Sequence, residues 1–355
     1  VIFLDLETFS EVPINVGTYR YAANCEVMLL AYAIDDGPAR VLDLTASAHA
    51  AHIFTELTLG THLLTAHNAM FDRNALRLGN LKIDIPIKRW RCTMAQALAH
   101  SLPGGLEKLG EIFKIDDDKQ KAKRGKELVQ LFCKPRPKNM KLRRATRHTH
   151  PKEWAEFVEY ARLDVEAMRA VHKKMPEWNY TGFELDLWHL DQKINDRGMC
   201  IDVEFAKGAI GAVAREQKRL NTAVQDHTEG AVQSATQRDA LLGHILAEYG
   251  VDLPDMTAAT IERRANDPDL PIELRELLML RLDSATTSTA KYRRFVGSVN
   301  GDGRVRGTAQ FCGAARTGRW AHRTVQPGNM PRPSRDFDEV CRFIEAVKAG
   351  CADLV

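Results

Sequence analysis

Val1-Ile2-Phe3-Leu4-Asp5-Leu6-Glu7-Thr8 opens the chain with β-branched and aromatic residues that run into two acids. Such a run reads as a short strand. Side chains two apart on a strand point to the same face, so Asp5 and Glu7, at the strand end, converge on one point while Leu6 faces the other way. Two acids in an otherwise apolar strand are costly unless something offsets their charge. The pattern therefore asks for a cation.

Outward from this run, Val27 to Ile34 and Arg40 to Leu44 read as further strands, separated by the turn Asp35-Asp36-Gly37-Pro38. Residues 49–59 carry helical spacing, and His62 to Ala66 forms another buried-looking strand before Asn68. Strands come first and strand–helix alternation follows, which predicts an α/β domain on a mixed sheet. From Pro151 the pattern is helical: Trp154, Phe157, Val158, Ala161, Val165, Met168 and Val171 recur at three- and four-residue steps until Pro176. Beyond lie helical patterns at 184–197, 203–227, 236–249 and 272–282, with Gly198, Gly250 and Pro254 as stops. No comparable strand run returns until about Gly303, so the second half starts as an α-rich unit.

At 355 residues the chain predicts roughly two domains. Apolar residues make up 44% and charged residues 27%, the composition of a globular protein, which excludes fibrous and wholly disordered classes. The seven cysteines are scattered, odd in number and never spaced C-x-x-C, so neither a disulfide framework nor a thiolate zinc site is expected. The first apolar stretch falls far short of the ~20 residues of a membrane span. The expected setting is therefore the cytoplasm, with no signal peptide and no anchor, and a start at Val1 suggests residues upstream. Formal net charge is +3, yet Lys119 to Arg147 holds seven Lys and five Arg against the single Glu127, a local +11 that leaves −8 elsewhere. Such a run is usually a solvated loop. Pro135 and Pro137 suggest that it is extended, and a basic extended segment is also a surface that tracks phosphates.

Four carboxylates stand where a scaffold would hold them: Asp5 and Glu7 on the strand, Asp72 after Asn68, and Asp164 on the helix from Pro151. Phosphodiester hydrolysis uses such a cluster, with two divalent ions about 3.5–4 Å apart stabilising the attacking and leaving oxygens. Carboxylate oxygens select Mg²⁺ or Mn²⁺ over zinc. Tyr160 lies four residues before Asp164 and shares its helix face, a spacing that suits a residue orienting the attacking water. Taken singly, D-x-E suits a turn or cap, Asn-x₃-Asp arises by chance and a tyrosine packs in a core. Their joint order favours the catalytic reading.

L-D-L-E-T (Leu4 to Thr8), H-N-A-M-F-D-R (His67 to Arg73) and Y-A-R-L-D (Tyr160 to Asp164) resemble the three exonuclease motifs of the tyrosine-bearing branch of the DEDD superfamily. The resemblance implies a ribonuclease H-like 3′→5′ exonuclease domain over 1–178. Asp5, Glu7, Asp72 and Asp164 would bind two Mg²⁺ or Mn²⁺ ions, and Tyr160 would help place the water. Asn68 is expected to contact DNA.

In the second half, Leu187 to Asp202 resembles the helix and turn with which family A DNA polymerases enter the thumb, and Ser234 to Gly250 resembles the thumb segment that follows. Gly303 to Pro331 resembles their strand plus T-G-R segment, in which Arg319 matches the arginine that grips primer–template DNA in the minor groove. Arg316 and Lys291 are expected to assist. The resemblance thus implies a thumb-like helical domain over 179–298 and a partial palm over 299–355. Trp320-Ala321-His322 and Gln326-Pro327-Gly328-Asn329 depart from the family pattern, and no D-Y-S, K-x₇-Y-G or H-D-E type motif follows Pro331. Asp336-Phe337-Asp338-Glu339 has no strand pattern around it. The implied function is proofreading: hydrolysis at a single-stranded DNA 3′ end that releases dNMP, primer–template duplex on the thumb, and polymerisation motifs outside this chain. Partners are then DNA, the polymerase remainder or replisome proteins, in a bacterial or phage-infected cell, with no membrane. The alternatives are a free-standing RNase D-like exoribonuclease and a non-catalytic DNA-binding subunit.

Overall fold

The protein is represented by a computed structural model that describes residues 1–46, 51–115, 119–284, 290–330 and 332–352. Strand β1 (Ile2–Phe9) is followed by a short helix α1 (Thr18–Ala22), β2 (Glu26–Ile34), β3 (Arg40–Asp43), α2 (Ala51–Leu59), β4 (Leu64–Ala66), α3 (Ala69–Leu78), β5 (Trp90–Cys92) and α4 (Thr93–Ala99). The five strands form one mixed sheet in the order β3-β2-β1-β4-β5, antiparallel from β3 to β1 and parallel from β1 to β5. The α/β reading on a mixed sheet is correct. Positions 49 and 50 of the expected helix at 49–59 lie outside the described residues.

β1 runs on to Phe9, so Asp5 and Glu7 sit within the central strand and not at its end. Its two faces are both covered, which is why it reads as a nearly continuous apolar run. Ile2, Leu4 and Leu6 pack with Leu57 of α2, Ala75 and Leu76 of α3, and Trp90. Phe3 and Phe9 face the opposite layer with Phe157, Ala161 and Val165.

That opposite layer comes from α5 (Leu106–Phe113), α6 (Lys119–Phe132) and α7 (Pro151–Lys174). α7 starts with proline in its first turn, where a missing N–H costs nothing, and ends at Met175 in extended geometry before Pro176. Its buried stripe is Trp154, Phe157, Ala161, Val165, Met168 and Val171, and each large apolar side chain buried there contributes about 1.5–3 kcal/mol. α6 corrects the expectation of an extended basic segment. Leu128 and Phe132 are buried on this layer, and the residues before Cys133 are mostly good helix formers. The prolines at 135 and 137 stop the helix and do not stretch the whole run.

α8 (Gly182–Arg197) and β6 (Met199–Cys200) complete this stretch. Then come α9 (Val203–His227), α10 (Arg238–Tyr249), α11 (Ala258–Ala265), α12 (Ile272–Ser284), α13 (Ala290–Ser298), β7 (Arg304–Val305), β8 (Ala309–Ala314), β9 (Arg319–His322) and α14 (Phe337–Lys348). Packing divides the chain into two compact units: Val1–Cys200 with Ser298–Met330, and Ile201–Gly297 with Pro331–Val355. The units are drawn on packing, whereas the segments 1–178, 179–298 and 299–355 follow the resemblance. In the first unit β7 pairs with β6, and Asn195 exchanges two hydrogen bonds of 2.9 Å with the backbone of Ala309, so residues 304–309 return to the sheet domain.

The second unit is helical around Val224, Leu241, Ile245, Ile261, Leu274, Leu277 and Leu278. Its α14 lies so close to α9 that a Cβ on Gly208 would meet the Val347 carbonyl oxygen at 2.4 Å. Asp336 caps α14 by accepting from the Glu339 N–H at 2.8 Å, which makes Asp336 to Glu339 the start of a helix. Among the described residues, no helix is long and apolar enough to cross a membrane.

Candidate active site

On the α7 side of the sheet, β1 presents Asp5 and Glu7 two residues apart, and α7 brings up Asp164 across the layer. One ligand atom from each of the three lies within 4.8 Å of the others. β1 shifts register against β2 between Glu7 and Thr8, an irregularity of the kind that re-aims side chains beside a site. Behind Glu7, the buried hydroxyls of Thr8 and Tyr21 are 2.8 Å apart.

Asp72 enters from the first turn of α3 and is 1% exposed. It stands outside the tight trio, yet the charge of Asp5 adds to its cost of ionisation. Asn68 sits at the N-cap of α3 with φ +65° and ψ 47°, a conformation asparagine tolerates, and its side chain does not cap the helix. It instead lines a cavity of about 330 Å³ with Phe71, Trp188 and Gln310. The turn before it is fixed by His67, whose ring bridges the Thr93 hydroxyl at 2.8 Å and the Gly104 carbonyl at 2.9 Å.

Burial and mutual repulsion govern the charges. Burial, then the charge of Asp164, pushes the Asp5 carboxyl up to about 7. Asp164 is raised by burial to about 6, with the hydrogen bond from the Tyr160 hydroxyl opposing the rise. Glu7 is held well above its ordinary range by burial and then by Asp5 and Asp164, against a hydrogen bond from Cys133. Asp72 is likewise raised by burial and then by Asp5, opposed by hydrogen bonds from the backbone at Asp72 and Leu6. Tyr160 is raised by burial and by the charges of Asp164 and Glu7, so its hydroxyl keeps its proton and donates to Asp164.

These residues suit a hard divalent cation. All the donors are carboxylate oxygens from two elements at close range, and Asp72 Oδ1 is buried without a hydrogen-bond partner. A cation would relieve the repulsion that, beside burial, raises Asp5, Glu7 and Asp72.

The sequence-predicted Asp5, Glu7, Asp72, Tyr160 and Asp164 therefore belong to one neighbourhood, with Asn68 at the base of α3. Arg316 and Arg319 are exposed on the β8–β9 hairpin, outside the acidic cluster, and Lys291 is half-buried on α13 of the second unit. Sequence reading missed Cys133, whose Sγ donates to Glu7 Oε2 at 3.5 Å, and Gly125, which lies against Tyr160. It also missed Asp196, which accepts from Tyr19 at 2.6 Å, from Arg73 at 2.6 and 2.9 Å, and from Arg77 at 2.9 Å. Arg73, inside the second motif, is thus part of a structural hub.

A mixed α/β sheet unit and a helical unit are together similar in fold to a DNA polymerase structure. The chain shares its fold, at TM-score 0.59 and 13% identity, with a solved structure described as the POL domain of Pol1 from M. smegmatis in complex with DNA primer-template and dNTP, over 94% of this chain and 53% of that one. It is 35% identical over 339 residues to the protein named DNA polymerase of Bacillus phage SP02, covering 93% of this chain and 51% of the relative. The chain thus spans about half the length of this curated relative. No family model matches. Sequence match and shared fold are consistent with a portion of a family A DNA polymerase, as the stretches of the second half imply.

Proposed function

We propose that the chain carries a metal-dependent 3′→5′ exonuclease that proofreads for a family A DNA polymerase. The observation that carries this reading is the meeting of Asp5, Glu7 and Asp164 within 4.8 Å, beside Asp72 and under the Tyr160 hydroxyl. Asp5, Glu7, Asp72 and Asp164 would hold two Mg²⁺ or Mn²⁺ ions. When bound, such ions lower the cost of negative charge building on the phosphate and on the leaving oxygen.

The protein's own groups do the rest. Tyr160, anchored through Asp164, orients a water toward the terminal phosphorus. The water oxygen bonds to phosphorus as its proton passes to solvent, the P–O3′ bond breaks, and the departing 3′ oxygen takes up a proton from solvent. A 3′-hydroxyl remains on the strand and a 5′-mononucleotide leaves. Asn68 would contact the strand from the α3 side. Duplex primer–template DNA would be held by Arg316, Arg319 and Lys291, with residues 179–298 as thumb and 299–355 as a partial palm. Such a protein works in the cytoplasm of a bacterial or phage-infected cell, beside the polymerase remainder or replisome proteins.

The test is digestion of 5′-labelled single-stranded DNA with Mg²⁺ or Mn²⁺. Shortening from the 3′ end, release of 5′-mononucleotides and abolition by EDTA are expected. Asp5→Ala is expected to remove nearly all turnover with the fold intact, since losing one acid relieves repulsion. Metal-independent hydrolysis, label released first from the 5′ end, or more than about a tenth of wild-type turnover in Asp5→Ala would overturn the assignment. A strong preference for RNA oligonucleotides would favour the exoribonuclease alternative.

A further inference from the structure

The basic helix α6 reaches the site in two places. At Gly125 its backbone comes so near α7 that a Cβ would lie 2.1 Å from Tyr160 Cε2, 2.6 Å from Cδ2 and 2.9 Å from Cζ. Just past the helix end, the buried Cys133 donates its S–H to Glu7 Oε2 at 3.5 Å. Between these points Leu128 and Phe132 are buried against the layer that holds Phe157 and Ala161, and just before them Arg124 Nε reaches Glu156 Oε2 on α7 at 2.7 Å. A glycine inside a helix gives up backbone entropy and propensity relative to alanine, so it is retained where a close approach requires it. Here the approach is to the ring of the proposed water-orienting residue.

We propose that α6 is a positioning element of the nuclease site, in which Gly125 fixes the Tyr160 ring and Cys133 fixes the Glu7 carboxylate. The inference rests on the nuclease reading above. Neither residue touches the reacting atoms. Gly125 acts by being small: any side chain there must push the Tyr160 ring aside, because the ring is the movable end of a side chain while the helix backbone is held by Leu128 and Phe132. The hydroxyl then leaves Asp164 and the water loses its guide. Cys133 acts as a donor from a buried, fixed point, which holds one carboxylate orientation of Glu7.

The test is Gly125→Ala. Its kcat on single-stranded DNA is expected to fall about tenfold or more, as when a group that orients the attacking water is misplaced, with KM little changed. In a Tyr160→Phe background the same change should cost under about twofold, since coupled residues are not additive. A second readout uses metal-free protein: nitration of Tyr160 by tetranitromethane, followed by mass spectrometry, should be faster in Gly125→Ala because the ring is displaced into solvent. Unchanged nitration, or an equal loss of kcat in the Tyr160→Phe background, would overturn the role. If Gly125→Ala does not fold, Cys133 decides. Cys133→Ser, which keeps a donor, should retain wild-type kcat, whereas Cys133→Ala should lose several-fold, and equal behaviour of the two overturns the proposal. A wild-type chain without metal-dependent hydrolysis would sink the nuclease reading itself, while the nitration result would still decide whether Gly125 sets the ring.

Discussion

Asp191, on α8 and 2% exposed, has its carboxyl pushed up to about 7 by burial, although Gln192 and Asn195 donate to it at 3.0 and 3.1 Å. A carboxyl raised in the folded state binds a proton that the unfolded chain has already lost. It therefore costs stability as pH rises from about 4 to about 7, and the cost is constant above that. Asp191→Asn should remove this cost, leaving the variant more stable relative to wild type at pH 8 than at pH 4 by on the order of 4 kcal/mol. Urea unfolding across that range measures it, and a constant offset between the two proteins would show that Asp191 is not raised. Five residues on, Asp196 behaves oppositely: burial would raise it, but Arg73 and Tyr19 hydrogen bonds hold it below its ordinary value. Nothing in L-D-Q-K-I-N-D separates these two aspartates, because their difference comes from burial and from partners more than a hundred residues away. Asp5, Glu7, Tyr160 and Asp164 were legible because each pair lies on one element, where spacing alone fixes the shared face.

Helices α6 and α7 show the same limit for whole elements. α7 was readable from Pro151 to Met175 because its apolar residues keep a helical period and prolines punctuate both ends. α6 was not, because a solvated basic face hid the buried apolar side chains of Leu128 and Phe132, which make it a helix on the sheet. Phe132 is fully buried, with its ring 4.9 Å from Trp154 in a T-shaped contact and 5.1 Å from Phe157 in a stacked one. Phe132→Ala should lower stability by about 3–5 kcal/mol, as expected for emptying a packed aromatic site. Because α6 then loosens over Tyr160 and Glu7, hydrolysis should fall at temperatures where the protein is still folded. Phe132→Leu should lie between in both respects. Thermal unfolding followed by single-turnover kinetics checks the pair, and a full loss of stability with unchanged hydrolysis would separate α6 from the site.

The chain as a whole places its two kinds of proposed DNA contact on different features: the acidic cluster within the sheet layers, and the exposed arginines of the β8–β9 hairpin in the same compact unit. The resemblance implied a strand plus T-G-R segment, and Thr317-Gly318 form the turn from which Arg319 opens β9, but the membership of this segment in the sheet unit depends on β6–β7 pairing and on Asn195, contacts more than a hundred residues apart. Proofreading needs duplex and single strand to be held apart, with a few base pairs melted to feed the acids. A mismatched primer end, already partly unpaired, should therefore be degraded faster than a matched one, the lower melting cost supplying the selectivity. Arg319→Ala should weaken binding of a hairpin primer–template by about tenfold, the loss typical of a charged hydrogen bond. It should leave a short single strand bound and digested as before. Fluorescence anisotropy with both substrates at one fixed salt concentration reads the difference, since phosphate contacts make any affinity salt-dependent. Equal loss on both substrates would place Arg319 on the nuclease path, and no loss on either would remove the hairpin from the duplex-binding surface.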